Sequence, residues 1–339
     1  MDEDGIITTN EPVYEIAGKL DDYVPFGPGK FADKNETYMD KNGDIATIPK
    51  GFEIVEDAEI VKDGLVIQDE QGNQFLWIPV KSIAISEEEA NEIKAMAVKV
   101  GENYRGVLYN FTNSNPTTST IIKSCTTGNA HAEPYYLGFS DNSSYNKDEN
   151  GNKIVTEEKM INEYNKMIES VKKYNGFFIG RYELGIEDNG KPVSKKDEKD
   201  DKIITATAGD DKLKSWYGLY EKCKEFADTE SKKSVISSML WGSQYDAMMN
   251  WMIEEGCAVG VDDTDKANLT GRTGGNEEDL IKNIFDLYGC HNDWTMESSY
   301  NYGSNVRYAR GDKSPSSRSA DSPNSDCNNS TRITLYICE

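Results

Sequence analysis

The stretch that most constrains this chain is its C-terminal part, from Ile281 to Glu339. It is rich in Ser, Asn, Asp, Tyr, Arg and Gly. Such a composition alone favours a solvated tail, because polar tracts bury too little surface to offset ordering entropy. Apolar anchors break that pattern. Trp294, Val306, Leu335, Tyr336 and Ile337 recur among the polar residues, and ITLYI closes the chain as a β-branched and aromatic strand. The stretch is therefore expected to fold, with Trp294, Val306, Leu335 and Ile337 buried. Its polar residues are also a restricted set: from Ser298 to Cys338 there is no Glu, Gln, Met or Trp, and Lys313 is the only Lys. These types are the ones that an asparagine codon, AAC or AAT, cannot reach when only its adenines are replaced.

With 339 residues the chain can bury the core of one large or two medium domains. Acidic residues outnumber basic ones 60 to 37, and the net charge of −23 argues against nucleic acid or an anionic membrane as a partner. No apolar run approaches a membrane span, so no membrane insertion is expected. The MDEDG start carries no signal peptide and is compatible with the removal of a secretion or anchoring segment. The six cysteines lie far apart without a CxxC pair, which predicts neither a zinc finger nor any other metal site or cofactor. Cys223 falls on the apolar stripe of a predicted helix as a core thiol.

Taken in order, residues 1 to about 45 read as an irregular strap. DIATIPKGFEIVED, DGLVIQDEQGN and QFLWIPV then give short strands, the last two joined by a turn at Gly72-Asn73. Ser86 with Glu89 predicts a capped helix carrying Ile93, Ala97 and Val100, and NYRGVLYNF predicts a strand. His131 sits in a loop without metal-ligand spacing. Thr156 caps a helix through Tyr174 whose Met160, Tyr164, Met167, Ile168 and Val171 share one face, and GFFIGRYELG starts a strand at Gly176. GKPVSKK reads as an exposed basic turn. Ser215 and Ser243 are the expected caps of two further helices, the second ending at Gly256. Its apolar face is Tyr245, Met248, Met249 and Met252. The acidic cluster from Asp262 fits no calcium loop and reads as a solvated turn.

The series QFLWIPV, GFFIGRYELG, MLWGSQYDAMMNWM, IKNIFDLYGCHNDWT, RYARGD and Arg332 before ITLYI resembles, in that order, the formylglycine-generating-enzyme branch of the C-type lectin fold. It resembles more closely the variable proteins of diversity-generating retroelements built on that branch, in which adenine-directed mutagenesis changes one face. The resemblance implies an α+β C-type lectin domain over residues 72–339, with an insertion at about 85–170. A β-rich N-terminal extension over 1–71 precedes it, and the diversified region spans about 288–333. The family turn Gly-Asn-Val-Trp-Glu-Trp is here Gly289, Cys290, His291, Asn292, Asp293 and Trp294, and Gly-Phe-Arg is Ser330, Thr331 and Arg332. The anchors are kept and the positions between them differ.

Catalytic members of that branch hold copper with a Cys-x-x-x-x-Cys run after the Arg-Gly-Gly turn. Here Arg310, Gly311 and Asp312 are followed by KSPSSRSADS, with no cysteine until Cys327, so no enzyme is expected. The Arg-Gly-Asp string also spells an integrin-type adhesion motif, which the family turn accounts for without an adhesive role. Tyr, Ser, Gly and Asn are residues that paratopes favour, because Tyr supplies rigid contact area and the small polar residues adapt their hydrogen bonds. The expected variable face comprises Tyr288, Cys290, His291, Asn292, Asp293, Tyr300, Asn301, Tyr302, Ser304, Asn305, Tyr308, Asp312, Ser314, Ser316, Ser317 and Arg318. Asp321, Ser322, Asn324, Asp326, Asn328, Asn329 and Ser330 complete it. Its partner would be a protein or glycan ligand on a cell surface, met by a phage tail protein or a bacterial surface adhesin, both extracellular. The other reading is a non-diversified structural subunit of a virion or surface filament.

Overall fold

A computed structural model of the chain describes residues 26–80, 99–100, 103–104, 143–197, 204–205, 211–228, 232–257, 259, 267–301, 304–311, 315, 318–324 and 329–338. These residues form an α+β structure of several antiparallel sheets and few helices. The helix expected after Ser86, most of NYRGVLYNF, His131 and the acidic cluster from Asp262 lie outside them.

The first elements are a hairpin, β1 (Glu36–Met39) with β2 (Ile45–Ile48), then β3 (Phe52–Ile54), a one-turn helix α1 (Val61–Gly64), β4 (Val66–Asp69) and β5 (Gln74–Pro79). The turn between β4 and β5 is the expected one: Asp69 N donates to Asn73 O at 3.1 Å, and Gly72 takes a φ of 80°. A short pair, β6 (Lys99–Val100) and β7 (Asn103–Tyr104), precedes the long helix α2 (Glu157–Tyr174). Thr156 caps it by accepting from Lys159 N at 3.2 Å, and Met160, Tyr164, Met167 and Val171 are buried along its inner face.

α2 runs into β8 (Gly176–Gly180), where the chain passes so close to Trp77 that a Cβ on Gly176 would lie 2.3 Å from the indole ring. Only glycine fits there. A small sheet of β9 (Gly185–Ile186), β10 (Pro192–Val193) and β11 (Ile204–Thr205) follows. The GKPVSKK run is less exposed than its charge suggests. Val193 and Ser194 are buried, and Lys195 pairs with Glu187 at 2.8 Å.

Helices α3 (Asp211–Lys214) and α4 (Trp216–Glu225) come next. Ser215 caps α4 through Gly218 N, and Trp216, Leu219, Tyr220, Cys223 and Phe226 are buried as the spacing predicts. β12 (Val235–Met239) leads to α5 (Gly242–Glu254), whose cap is Trp241 and not Ser243. The reason is Gln244, whose Oε1 takes the Trp241 N–H at 3.1 Å and so satisfies an amide at the helix entrance. Tyr245, Met248, Met249 and Met252 face inward.

The last elements are β13 (Asn292–Asn301), β14 (Ser304–Arg310), β15 (Arg318–Asp321), β16 (Asn329–Thr331) and β17 (Ile333–Ile337). β17 enters a six-stranded antiparallel sheet of order β12-β17-β8-β5-β4-β3, in which all its residues are buried. This sheet crosses the boundary expected between residues 71 and 72, because β3 and β4 pair directly with the strands that follow. One apolar core accordingly extends from Ala32 to Ile337. The remaining strands form a second sheet of order β15-β14-β13-β16, with β16 parallel to β13. Bonds that tie it to the rest include Leu184 N donating to Thr331 O at 2.7 Å, Trp216 Nε1 to Thr295 O at 2.8 Å and Met296 N to Leu240 O at 2.8 Å.

Candidate functional site

The polar residues before β13 converge at one turn. Gly289, at a φ of 106°, and Cys290, at 59°, reverse the chain, and Asn268 braces them by donating its N–H to Tyr288 O at 2.9 Å and accepting from Cys290 N at 2.7 Å. The reversal presents Cys290 and His291 to Glu183, which follows β8 between the buried Tyr182 and Leu184. Glu183 Oε1 accepts from His291 N at 3.0 Å, while Oε2 lies 2.8 Å from His291 Nδ1. Cys290 Sγ lies 3.3 Å from that same nitrogen. Glu183 is fully buried, His291 nearly so, and Cys290 half-buried.

Further carboxylates surround this cluster. Asp286 Oδ2 accepts from Gly274 N at 2.9 Å, and Asp286 N donates to Asp279 Oδ2 at 3.1 Å. Arg332 stands opposite, its Nε 2.6 Å from Asp293 Oδ2 and its other nitrogens on the carbonyls of Gly180, Phe285 and Asp286. Burial pushes the Glu183 carboxyl up to about 7, against the hydrogen bond from His291 and with help from Asp286. Burial and the Asp286 charge push Asp279 up to about 8. Burial alone would depress His291, yet the hydrogen bond and charge of Glu183 outweigh it and its pKa is raised. The Cys290 thiol is raised by burial and by the carboxylates of Glu183 and Asp286, so it is no activated nucleophile.

The structure separates the expected variable positions. Trp294, Leu335 and Ile337 are buried, as their pattern predicts, and the side chain of Val306 lies outside the described residues. Ser322 and Asn324 are exposed, and Asn292 and Asp321 are half-buried. Tyr288, His291, Asp293, Tyr308, Asn329 and Ser330, by contrast, are buried, which removes them from an exposed face. Their reasons differ. Tyr288 belongs to the apolar core, Asp293 is the counter-ion of Arg332, and Tyr308 O accepts from Thr295 Oγ1 inside the second sheet. Asn329 and Ser330 are strand residues paired with β13. The backbones of Tyr300, Asn301, Ser304, Asn305 and Arg318 lie in β13 to β15, with side chains outside the described residues. Tyr302, Asp312, Ser314, Ser316, Ser317, Asp326 and Asn328 lie outside them altogether.

Arg310 is buried against Asp246 and lies 3.5 Å from Glu297, so the arginine of the Arg-Gly-Asp string serves the interior. An open groove along α2 and α4, lined by Lys159, Lys166, Lys222, Lys224 and Glu225, takes none of the described residues of the 288–333 stretch. Sequence reasoning missed Glu183, Asp279 and Asp286. The signal was present, since Glu183 in RYELG and Asp286 in IFDLYG are acidic residues set between apolar neighbours, where burial without a partner is costly. Compared with known proteins, the chain matches no family profile, no curated protein and no solved structure.

Proposed function

We propose that this chain is a hypervariable ligand-binding protein on a C-type lectin frame of the formylglycine-generating-enzyme type, whose C-terminal polar face is diversified by adenine-directed retroelement mutagenesis. It acts outside the cell, on a phage tail or a bacterial surface, and its ligand is a protein or glycan. One observation carries the reading: from Ser298 to Cys338 the residue types an adenine-edited asparagine codon cannot reach are absent but for Lys313. The structure is compatible with it, because buried Trp294, Leu335 and Ile337 supply a frame and Ser322 and Asn324 stand in solvent. Most surface substitutions cost within about 0.5 kcal/mol, and about 1 kcal/mol where one hydrogen bond is lost as at Asn324, so such positions can vary without unfolding the domain.

The binding role is favoured over an oxygenase role. The paired Cys-x-x-x-x-Cys run that would hold copper is missing after Arg310, Gly311 and Asp312, where no cysteine follows until Cys327. The burial of Tyr288 and Tyr308 takes two aromatic contacts from the proposed face, and it equally suits the second reading, an invariant structural subunit. Comparing the coding sequence with a neighbouring near-repeat separates the two. Differences confined to adenines of the repeat support diversification; differences spread over all bases, or no repeat at all, sink it.

A further inference from the structure

We propose that Glu183, Cys290 and His291 form a binding site for a divalent transition-metal ion of the zinc class, with one carboxylate oxygen, one sulfur and imidazole Nδ1 as ligands. The proposal is independent of the reading of the variable face. Its first ground is geometry: the three ligand atoms lie within 4.8 Å of one another, with Nδ1 2.8 Å from Glu183 Oε2 and 3.3 Å from Cys290 Sγ. Ligand atoms of a tetrahedral zinc centre stand roughly 3.4–3.6 Å apart, from Zn–S of about 2.3 Å and Zn–N or Zn–O of about 2.0–2.2 Å. Opening the two short contacts by about half an ångström makes room for the ion, and the half-buried Cys290 gives it a way in.

The second ground is convergence: Glu183 is the shared partner of the His291 ring nitrogen and its neighbour Cys290, so the three donor atoms already face one another. A cation at the centre satisfies all three atoms at once, and the Cys290 thiol proton leaves to solvent as the thiolate forms. The third ground is charge. Glu183, Asp286 and Asp293 are buried together, and among the described residues the guanidinium that meets Asp293 is that of Arg332. Buried charge without a counter-charge is expensive, and a divalent ion supplies it. The ligand types fit the ion: thiolate, imidazole and carboxylate together select zinc-like metals over calcium or magnesium, which prefer all-oxygen sets.

The test is a cobalt titration of the chelator-treated full chain, followed by displacement with zinc. We expect one Co²⁺ per chain, with a sulfur-to-metal charge-transfer absorption that zinc abolishes. Cys290→Ser, conservative and at a half-buried position, should remove that band and weaken zinc binding about tenfold or more. His291→Asn should weaken zinc to a similar degree while the chain stays folded by circular dichroism, and Cys257→Ser and Cys338→Ser should change neither readout. No charge-transfer band at stoichiometric cobalt, or a band that survives Cys290→Ser, overturns the site. A wild-type melting temperature unmoved by saturating zinc also counts against it, because an ion bound only by the folded state must stabilise it.

Discussion

The two large sheets are filled in different ways. In the six-stranded sheet, Phe75, Trp77, Phe178, Ile179, Leu335 and Ile337 close the interior with apolar side chains, and Trp77 packs on Phe178 at 4.9 Å between ring centroids. In the four-stranded sheet the buried residues include Asp293, Thr295, Glu297, Arg307, Arg310, Ser330 and Thr331 beside Trp294, Met296 and Ala309. Arg307 lies 4.0 Å over the Trp216 ring and donates to Met296 O at 2.6 Å, while Arg310 meets Asp246. A composition that reads as a solvated tail thus builds an interior when its buried charges find a counter-charge, a carbonyl or an aromatic ring. The two interiors should also fail differently. An apolar core loses stability in proportion to the atoms removed, whereas a buried ion pair loses most when one partner goes and the other is stranded.

The sharpest test of that contrast is Arg332, which joins the sheets. Arg332→Ala should cost about 3–5 kcal/mol by urea denaturation, because it strands the buried Asp293. Leu335→Ala should cost a similar amount, about 2–5 kcal/mol, through a cavity. The difference lies in rescue. Adding Asp293→Leu to Arg332→Met should recover at least about 1 kcal/mol relative to Arg332→Met alone, since the stranded charge is gone. If the double variant is no more stable than the single one, the ion pair is not what holds this junction.

The buried tyrosines come next. Tyr288→Ala and Tyr308→Ala should each destabilise by about 3 kcal/mol, near the lower end of the range for Trp294→Ala. A melting temperature left unchanged by either truncation would return these rings to the exposed face and weaken the contrast between frame and surface.

Apolar periodicity was enough to find α2, α4, α5, β5, β8 and β17, because each carries its burial in spacing that a one-dimensional pattern preserves. It placed the α5 cap two residues late, since Ser243 is the better generic cap and only the neighbouring Gln244 decides for Trp241. The polar sheet was harder. Its anchors Trp294 and Leu335 stand out, but the burial of Asp293 and Ser330 goes with partners far along the chain, Arg332 and strand β13, which no local pattern encodes. The Glu183 cluster joins residues more than a hundred positions apart in sequence for the same reason.

A smaller effect of opposite sign is expected at Asp279. Its folded pKa of about 8 lies above its ordinary value of 3.8, so the stability it contributes is complete below about pH 4 and is lost as pH rises through 8. Asp279→Asn keeps an acceptor for Asp286 N and removes the like charge beside Asp286. It should stabilise the chain by about 1–2 kcal/mol at pH 8 and change little at pH 4. Denaturation midpoints at the two pH values check the sign. Equal effects at both would mean that ionisation of this buried carboxyl beside Asp286 is not the cause.

The smallest effects belong to the surface. Ser319 and Ser322 are exposed, on β15 and just beyond it, where β14 is the one paired neighbour among the described residues. Ser319→Ala and Ser322→Ala should each shift stability by less than about 0.5 kcal/mol, and the pair should be close to additive. Asn324 marks the limit of this freedom: it is exposed, yet its Oδ1 accepts from Ser143 Oγ and links the tail to the segment before α2. Asn324→Ala should therefore cost about 1 kcal/mol, the net worth of one such bond. A graded series, with tolerance at 319 and 322, a small penalty at 324 and large penalties at Asp293 and Tyr308, would show that exposure and not polarity separates the variable positions from the frame. A Ser319/Ser322 pair that costs more than about 1 kcal/mol would put this edge inside the frame as well, and would leave the proposed ligand face without a position free to vary among the described residues.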